Sequence, residues 1–245
     1  MSLPYFFIEQ LITTSGSLVL NEEQSKHIIQ VLRMQKGEEL LLTDGKGNKA
    51  HARIIDDHRK RCEVEIISIT KEDEATHKIS IAISLIKNAA RFEWFLEKAT
   101  EIGVNQIIPL VCERTEKEKF RFDRMQNILI SGMLQSQQCW LPVLREPIAF
   151  EKLAIENRRG SKFIAHCLPE QKQQLSSMLI PASGRHQDNI IFIGPEGDFT
   201  ESEIQLALSN NFIPVALGNT RLRTETAGLV AAALLRNQSD VVSAR

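Results

Sequence analysis

The sequence predicts an α/β protein with a mostly parallel sheet, preceded by a small β-rich domain. Three observations predict it. Ile190-Ile191-Phe192-Ile193 is an apolar run that reads as a strand buried on both faces, the kind found in parallel sheets. From Ile79 onward, apolar strands alternate with amphipathic helices, the pattern of a parallel sheet covered on both sides. Before that point the chain shows short strands and a single helix, which suggests a small barrel.

At 245 residues the chain is long enough for one large domain or two small ones. Its net charge of −1 argues against general coating of nucleic acid, which wants a strongly basic chain. No apolar run approaches a membrane span, and Met1-Ser2-Leu3-Pro4 lacks a signal-peptide pattern. Cys62, Cys112, Cys139 and Cys167 lie far apart, against both a disulfide framework and a zinc site. The histidines are equally scattered. The expectation is a reduced, cytoplasmic protein without a metal.

In the first domain, Tyr5–Ile8 and Leu18–Leu20 are short apolar edges. Asn21 caps a helix, with Gln24 at its third position and Ile28, Val31 and Leu32 on one face. Glu39–Thr43 and Ala50–Ile55 are strands joined by the turn Asp44-Gly45-Lys46-Gly47-Asn48. Cys62, Val64 and Ile66 alternate in a third strand, and Ile67 and Ile69 fall out of phase, which predicts a bulge or twist. The polar stretch Lys71–His77 marks the boundary, with domains at 1–73 and 74–245.

The second domain opens with a strand in which Ile79, Ile81, Ile83 and Leu85 alternate. A helix follows from Ala89 to Ile102, ended by Gly103. Ile107–Val111 is a strand, Glu113–Lys119 a polar segment, and Arg121–Gln137 a long helix. Then come helix Phe150–Asn157, strand Lys162–His166, helix Gln171–Leu179, the strand ending at Ile193, helix Glu201–Ser209, strand Ile213–Leu217 and helix Glu225–Arg236. Thr200 and Glu203 form a capping box. The last helix is apolar on all sides, which predicts burial.

Two loops follow strands and open helices, where open α/β sheets bind small molecules. Gly194-Pro195-Glu196-Gly197-Asp198 is neither a dinucleotide fingerprint nor a P-loop. Its two carboxylates disfavour a polyphosphate and suit a ligand with a positive centre, such as S-adenosylmethionine. The second loop runs Leu217-Gly218-Asn219-Thr220-Arg221-Leu222-Arg223-Thr224-Glu225-Thr226. Either Arg223 and Glu225 form a structural pair beside a capping Thr224, or their charges are put to use. Arg33 and Lys36, with Arg114, Lys117 and Arg121, are the best candidates for phosphate contacts.

Taken together these residues resemble the RsmE family, SPOUT-class methyltransferases acting on N3 of a uridine in 16S ribosomal RNA. The likeness spans nearly the whole chain. His27-Ile28-Ile29-Gln30-Val31-Leu32-Arg33-Met34 and the Asp44-Gly45 turn are similar to the family's first domain. Lys98–Val104 and Ile108-Pro109-Leu110 are similar to its second, and Gly194–Gly197 with Leu217-Gly218 and Leu222–Ala227 match its cofactor loops. Two positions depart from the family pattern: Tyr5 stands where an Arg is common, and Leu134-Gln135-Ser136-Gln137-Gln138 keeps Gln135-Ser136 without the flanking Glu and Arg.

The resemblance implies a PUA-like RNA-binding barrel, then a SPOUT domain with a deep trefoil knot and no metal. It implies S-adenosyl-L-methionine held by Leu168, Gly194, Pro195, Glu196, Gly197, Leu217, Gly218, Leu222, Arg223, Thr224, Glu225 and Thr226. It implies a homodimer acting on 16S rRNA within the small ribosomal subunit. For such a reaction Arg223 is the candidate to stabilise the uracil anion. Glu225 is the candidate proton acceptor, or else orients Arg223 or caps its helix.

Overall fold

The computed structural model describes residues 3–9, 16–116, 119–168, 172–178 and 188–243, with side chains described through 237. The chain divides into two compact units, Met1–Glu74 with Met133–Leu141, and Ala75–Gly132 with Pro142–Arg245. The segment 133–141 therefore groups with the first unit, away from its sequence neighbours.

In the first unit, strands β1 (Tyr5–Phe7), β2 (Ser17–Val19), β3 (Glu39–Thr43), β4 (Asn48–Asp56) and β5 (Glu63–Lys71) form one sheet in the order β1-β3-β4-β5-β2. The pairing is an open path, with β1 parallel to β3 and the other pairs antiparallel. Leu40, Leu42, Ala52, Ile54 and Val64 are fully buried on its inner face. Each large side chain so buried contributes about 1.5–3 kcal/mol. Asp44 closes the β3–β4 hairpin by accepting from the backbone N–H of Lys46 (2.8 Å) and Asn48 (3.3 Å). The segment 139–141 lies on that turn: Gly47 N–H donates to Cys139 O, and Leu141 N–H donates to Gly45 O. Gly47 has φ +88° and no room for a Cβ, which would meet the Trp140 ring at 2.5 Å.

The predicted bulge is present. Consecutive residues His51 and Ala52 face Ser68 and Ile66, so Ile67 is the extra residue and turns to solvent. The helix expectation needs correction. Helix α1 (Glu22–Lys26), capped by Asn21 as expected, widens into a π-helical turn over His27–Val31. The wider turn breaks the 3.6-residue phase. Ile28 stays buried, but Val31 and Leu32 are 68% and 43% exposed, and Arg33 ends the turn in the left-handed region at φ 57°.

Among the described residues the second unit holds eight strands: β6 (Ile79–Ser84), β7 (Gln106–Val111), β8 (Val143–Leu144), β9 (Ile148–Ala149), β10 (Ser161–Ala165), β11 (Gln173–Gln174), β12 (Asn189–Ile193) and β13 (Ile213–Ala216). They pair in parallel in the order β11-β13-β10-β12-β6-β7-β8, with β9 also on β7. Helices α2 (Ala89–Ile102), α3 (Phe122–Gln135), α4 (Phe150–Ala154), α5 (Leu175–Met178), α6 (Glu201–Ser209) and α7 (Thr224–Ser243) complete it. Every residue of β6 is buried, not just alternate ones, because a central parallel strand is covered on both faces. The helix expected over 171–179 is instead β11 followed by α5, since Gln173-Gln174 joins the ladder of β13; residues 171 and 179 lie outside the described ones.

Local signals at helix ends hold. Gly103 terminates α2 at φ +88°. Thr200 and Glu203 make the reciprocal capping box on α6. Glu203 is 3% exposed, and its second oxygen accepts from the Glu113 backbone at 2.9 Å. Helix α7 differs from expectation: Gly228, Ala231, Ala232 and Leu235 are buried, but Leu229, Val230, Ala233 and Leu234 remain part-exposed in the single chain.

Candidate active site

Strands β13, β10 and β12 are adjacent and parallel, so their C-terminal ends reach one edge of the sheet. Three loops leave that edge, and hydrogen bonds bind them together. Thr224 Oγ1, at the start of α7, donates to Gly194 O at 3.0 Å, joining the two motif loops. Asp198 accepts from the Cys167 backbone at 2.8 Å and from its own neighbour Phe199 at 2.9 Å. Arg114 donates to Gly197 O at 2.6 Å. Lys172 donates to the carbonyls of His166 (2.6 Å) and Leu168 (2.7 Å), shaping the third loop. Gly194 sits against the Phe199 ring, where a Cβ would come within 3.2 Å of two ring carbons.

The loops enclose a cavity of about 300 Å³, at the lower end of small-molecule sites. From the first loop it takes Gly194, Pro195, Glu196 and Asp198; from the second, Leu222, Arg223, Thr224 and Glu225. Gly197, Leu217, Gly218, Thr226 and Leu168 stand outside the lining. Gly197 holds Arg114, Leu168 packs on the core, and Gly218 gives its loop a backbone φ of +136°. Residues outside the candidate site set also face the cavity: Arg91, Ala165, Cys167, Ile193, Arg221 and Ala227. Ala165 and Ile193 end β10 and β12, and Cys167 and Arg221 lie in the loops after β10 and β13, positions that the strand-end rule alone flags.

The charges fall into two kinds. Asp198 is spent on backbone N–H groups. Glu225 is buried, with Arg91 Nε 3.7 Å from its Oε1. Arg221 and Arg223 are exposed on the rim, in no ion pair among the described residues. Glu196 is exposed as well. Lys87 is held above its ordinary value by its hydrogen bond to Glu116, with Glu196 adding to the effect. Among the described residues no cluster could hold a metal, and no helix is long and apolar enough to cross a membrane.

Of the phosphate candidates, Arg33 and Lys36 are exposed in the first unit. In the second unit, Arg114 holds the first motif loop. Arg121 lines a shallow groove beside Arg124 and Glu93, which pair with each other at 2.6 Å. Lys117 lies outside the described residues. The two positions that depart from the family pattern meet in the first unit: Tyr5 OH donates to Gln138 O at 3.1 Å. Burial pushes the Tyr5 phenol up to about 12.

Residues 73–236 match a family model described as an RNA methyltransferase domain, and residues 20–67 match an RNA methyltransferase PUA domain. Ribosomal RNA small subunit methyltransferase E of Synechocystis sp. is 29% identical over 228 residues, 92% of this chain and 74% of that protein. The crystal structure of a probable rRNA-methyltransferase from Porphyromonas gingivalis is similar with TM-score 0.86 and 35% identity, covering 98% of this chain and 99% of that one. Ribosomal RNA small subunit methyltransferase E from Neisseria gonorrhoeae, bound to S-adenosyl methionine, is similar with TM-score 0.85 and 28% identity, covering 96% and 98%.

Proposed function

The chain belongs to the RsmE family of RNA methyltransferases, and from that membership we propose that it methylates N3 of one uridine in 16S rRNA, using S-adenosyl-L-methionine. The observation that carries this reading is the cavity at the ends of β10, β12 and β13, walled by both motif loops. Its residues fit the cofactor. Ile193, Leu222 and Ala227 give it apolar walls, and the Glu196 carboxylate suits a positive centre. When bound, the cofactor supplies a methyl group made electrophilic by its sulfonium.

The chain's own residues supply placement and charge. Walls tied together by the Thr224–Gly194 bond orient both reactants, where much of the acceleration of an in-line transfer arises. Arg223, exposed at the rim, stabilises negative charge that develops on the uracil as N3–H ionises. Glu225 accepts that proton. The target base is unpaired or flipped, because pairing hides N3.

Family membership also supports a deep trefoil knot in the second unit, a homodimer, the small subunit as substrate and a cytoplasmic location. The part-exposed Leu229, Val230 and Leu234 on an otherwise apolar α7 favour the dimer. Mass spectrometry of 16S rRNA from a deletion strain tests the activity: one methyluridine should be lost and should return with the restored gene. Calorimetry with S-adenosylhomocysteine tests the pocket; a folded protein without affinity would sink the reading in favour of a non-catalytic RNA-binding factor.

A further inference from the structure

Glu225 is a carboxylate at 6% exposure on the first turn of α7. A buried charge left alone costs several kcal/mol, by order of magnitude. Its partner is not the nearby Arg223 that the sequence suggests. It is Arg91, on the first turn of α2, more than a hundred residues away in sequence, with Nε 3.7 Å from Glu225 Oε1.

The packing of the two helices makes this meeting specific. Phe95 follows Arg91 by one helical turn, and Gly228 follows Glu225 by one turn, so each pair shares a helix face. At Gly228 an added Cβ would come within 2.7 Å of Phe95 and 2.9 Å of Ile83. That close approach brings the starts of α2 and α7 together over the end of β6. Arg91 also lines the cavity, with Glu225 and Arg223. A separation of 3.7 Å is an ion pair without a hydrogen bond. Arg91 therefore compensates the charge of Glu225 while leaving the carboxylate oxygens able to accept.

We propose that Arg91 is a positioning residue for the reaction: it holds the Glu225 carboxylate directed into the cavity, and so leaves Arg223 to the uracil. The proposal rests on the methyl-transfer reading above. In the step it serves, the N3–H bond breaks, the proton forms an O–H bond on Glu225, and N3 keeps the electron pair.

The test is turnover of small ribosomal subunits from the deletion strain by wild type, Arg91→Ala, Arg91→Lys, Glu225→Gln and the double variant R91A/E225Q, with S-adenosylhomocysteine calorimetry on each. Arg91→Ala should lower kcat about tenfold, less than the roughly hundredfold typical of losing a general base. KM and cofactor affinity should stay within about twofold, since Arg91 acts through Glu225 alone. Arg91→Lys should recover most of the rate, and R91A/E225Q should be no slower than Glu225→Gln. If Arg91→Ala does not fold, Arg91→Gln carries the same expectations. Wild-type kcat in the charge-removing variant, a loss confined to KM, no rescue by Lys, or multiplying effects in the double variant would each overturn the role of Arg91. An inactive wild type would overturn the methyl-transfer reading itself, so the two failures are distinguishable.

Discussion

The two motif loops lie against each other yet are built in opposite ways. In Gly194–Asp198, the polar groups of Gly194, Gly197 and Asp198 are engaged by the rest of the protein, through Thr224, Arg114, Cys167 and Phe199. In the 217–223 loop, Gly218 has nothing within 4 Å of where a Cβ would stand, and Arg221 and Arg223 face solvent. A loop whose hydrogen bonds are already made is a wall. A loop with unspent cations can still answer a substrate. The comparison teaches that an acid can line a cavity and still be committed to the wall: Asp198 accepts from the Cys167 and Phe199 backbones, whereas Glu196 is exposed and free to meet a ligand.

The comparison breaks or sharpens by experiment. Replacing Arg223 with Ala should cost the most, on the order of 10²–10³ in kcat, as for loss of a preorganised charge at the reacting centre. Cofactor affinity should largely persist; normal turnover would place Arg223 outside the reaction. Thr224→Ala unties the wall from the other loop and leaves Gly194 O buried without that donor. A lost buried hydrogen bond of about 1–3 kcal/mol corresponds to roughly five- to 150-fold weaker cofactor binding, read by calorimetry.

Thiol labelling probes the same wall without mutation. Cys167 is exposed in the cavity, while Cys62, Cys112 and Cys139 are buried. Burial pushes the Cys62 thiol up to about 11 and the Cys139 thiol up to about 12. Only Cys167 should react in the folded protein, and S-adenosylhomocysteine should slow it several-fold; peptide mass mapping checks both. Glu196→Gln should matter less, below about fivefold in cofactor affinity, as for an exposed charge.

The smallest effect at neutral pH is in the first unit. Tyr5 is the only tyrosine, so phenolate absorbance reads it alone. Its ionisation should shift from the ordinary 10.0 to about 12. A raised value means that the neutral form is favoured by folding. The stability it contributes is complete below pH 10.0 and is lost as pH rises toward about 12. A midpoint at the ordinary value would mean that the Tyr5 phenol is not buried in the first unit.

Some of this was legible in the residues themselves. Thr200 and Glu203 announce a capping box, Gly103 a helix end, and the slip from Ile66 to Ile67 a bulge, because each depends on groups a few residues apart. In Ile79–Ser84 the alternation of Ile marks the strand, and its central place in the sheet buries both faces. Helical spacing puts Ile28, Val31 and Leu32 on one face, and one widened turn leaves Val31 and Leu32 at the surface while Ile28 is buried.

The sequence by itself determined the parallel α/β class, the two loops and the ligand chemistry that they favour. Local hydrogen bonding and hydrophobic periodicity act over a few residues, and those can be read in order. Only the tertiary structure decided that segment 133–141 joins the first unit, that Asp198 braces the Cys167 loop, and that Glu225 pairs with Arg91. Those outcomes depend on which distant side chains close packing brings within a few ångströms, and spacing along a chain carries no record of that.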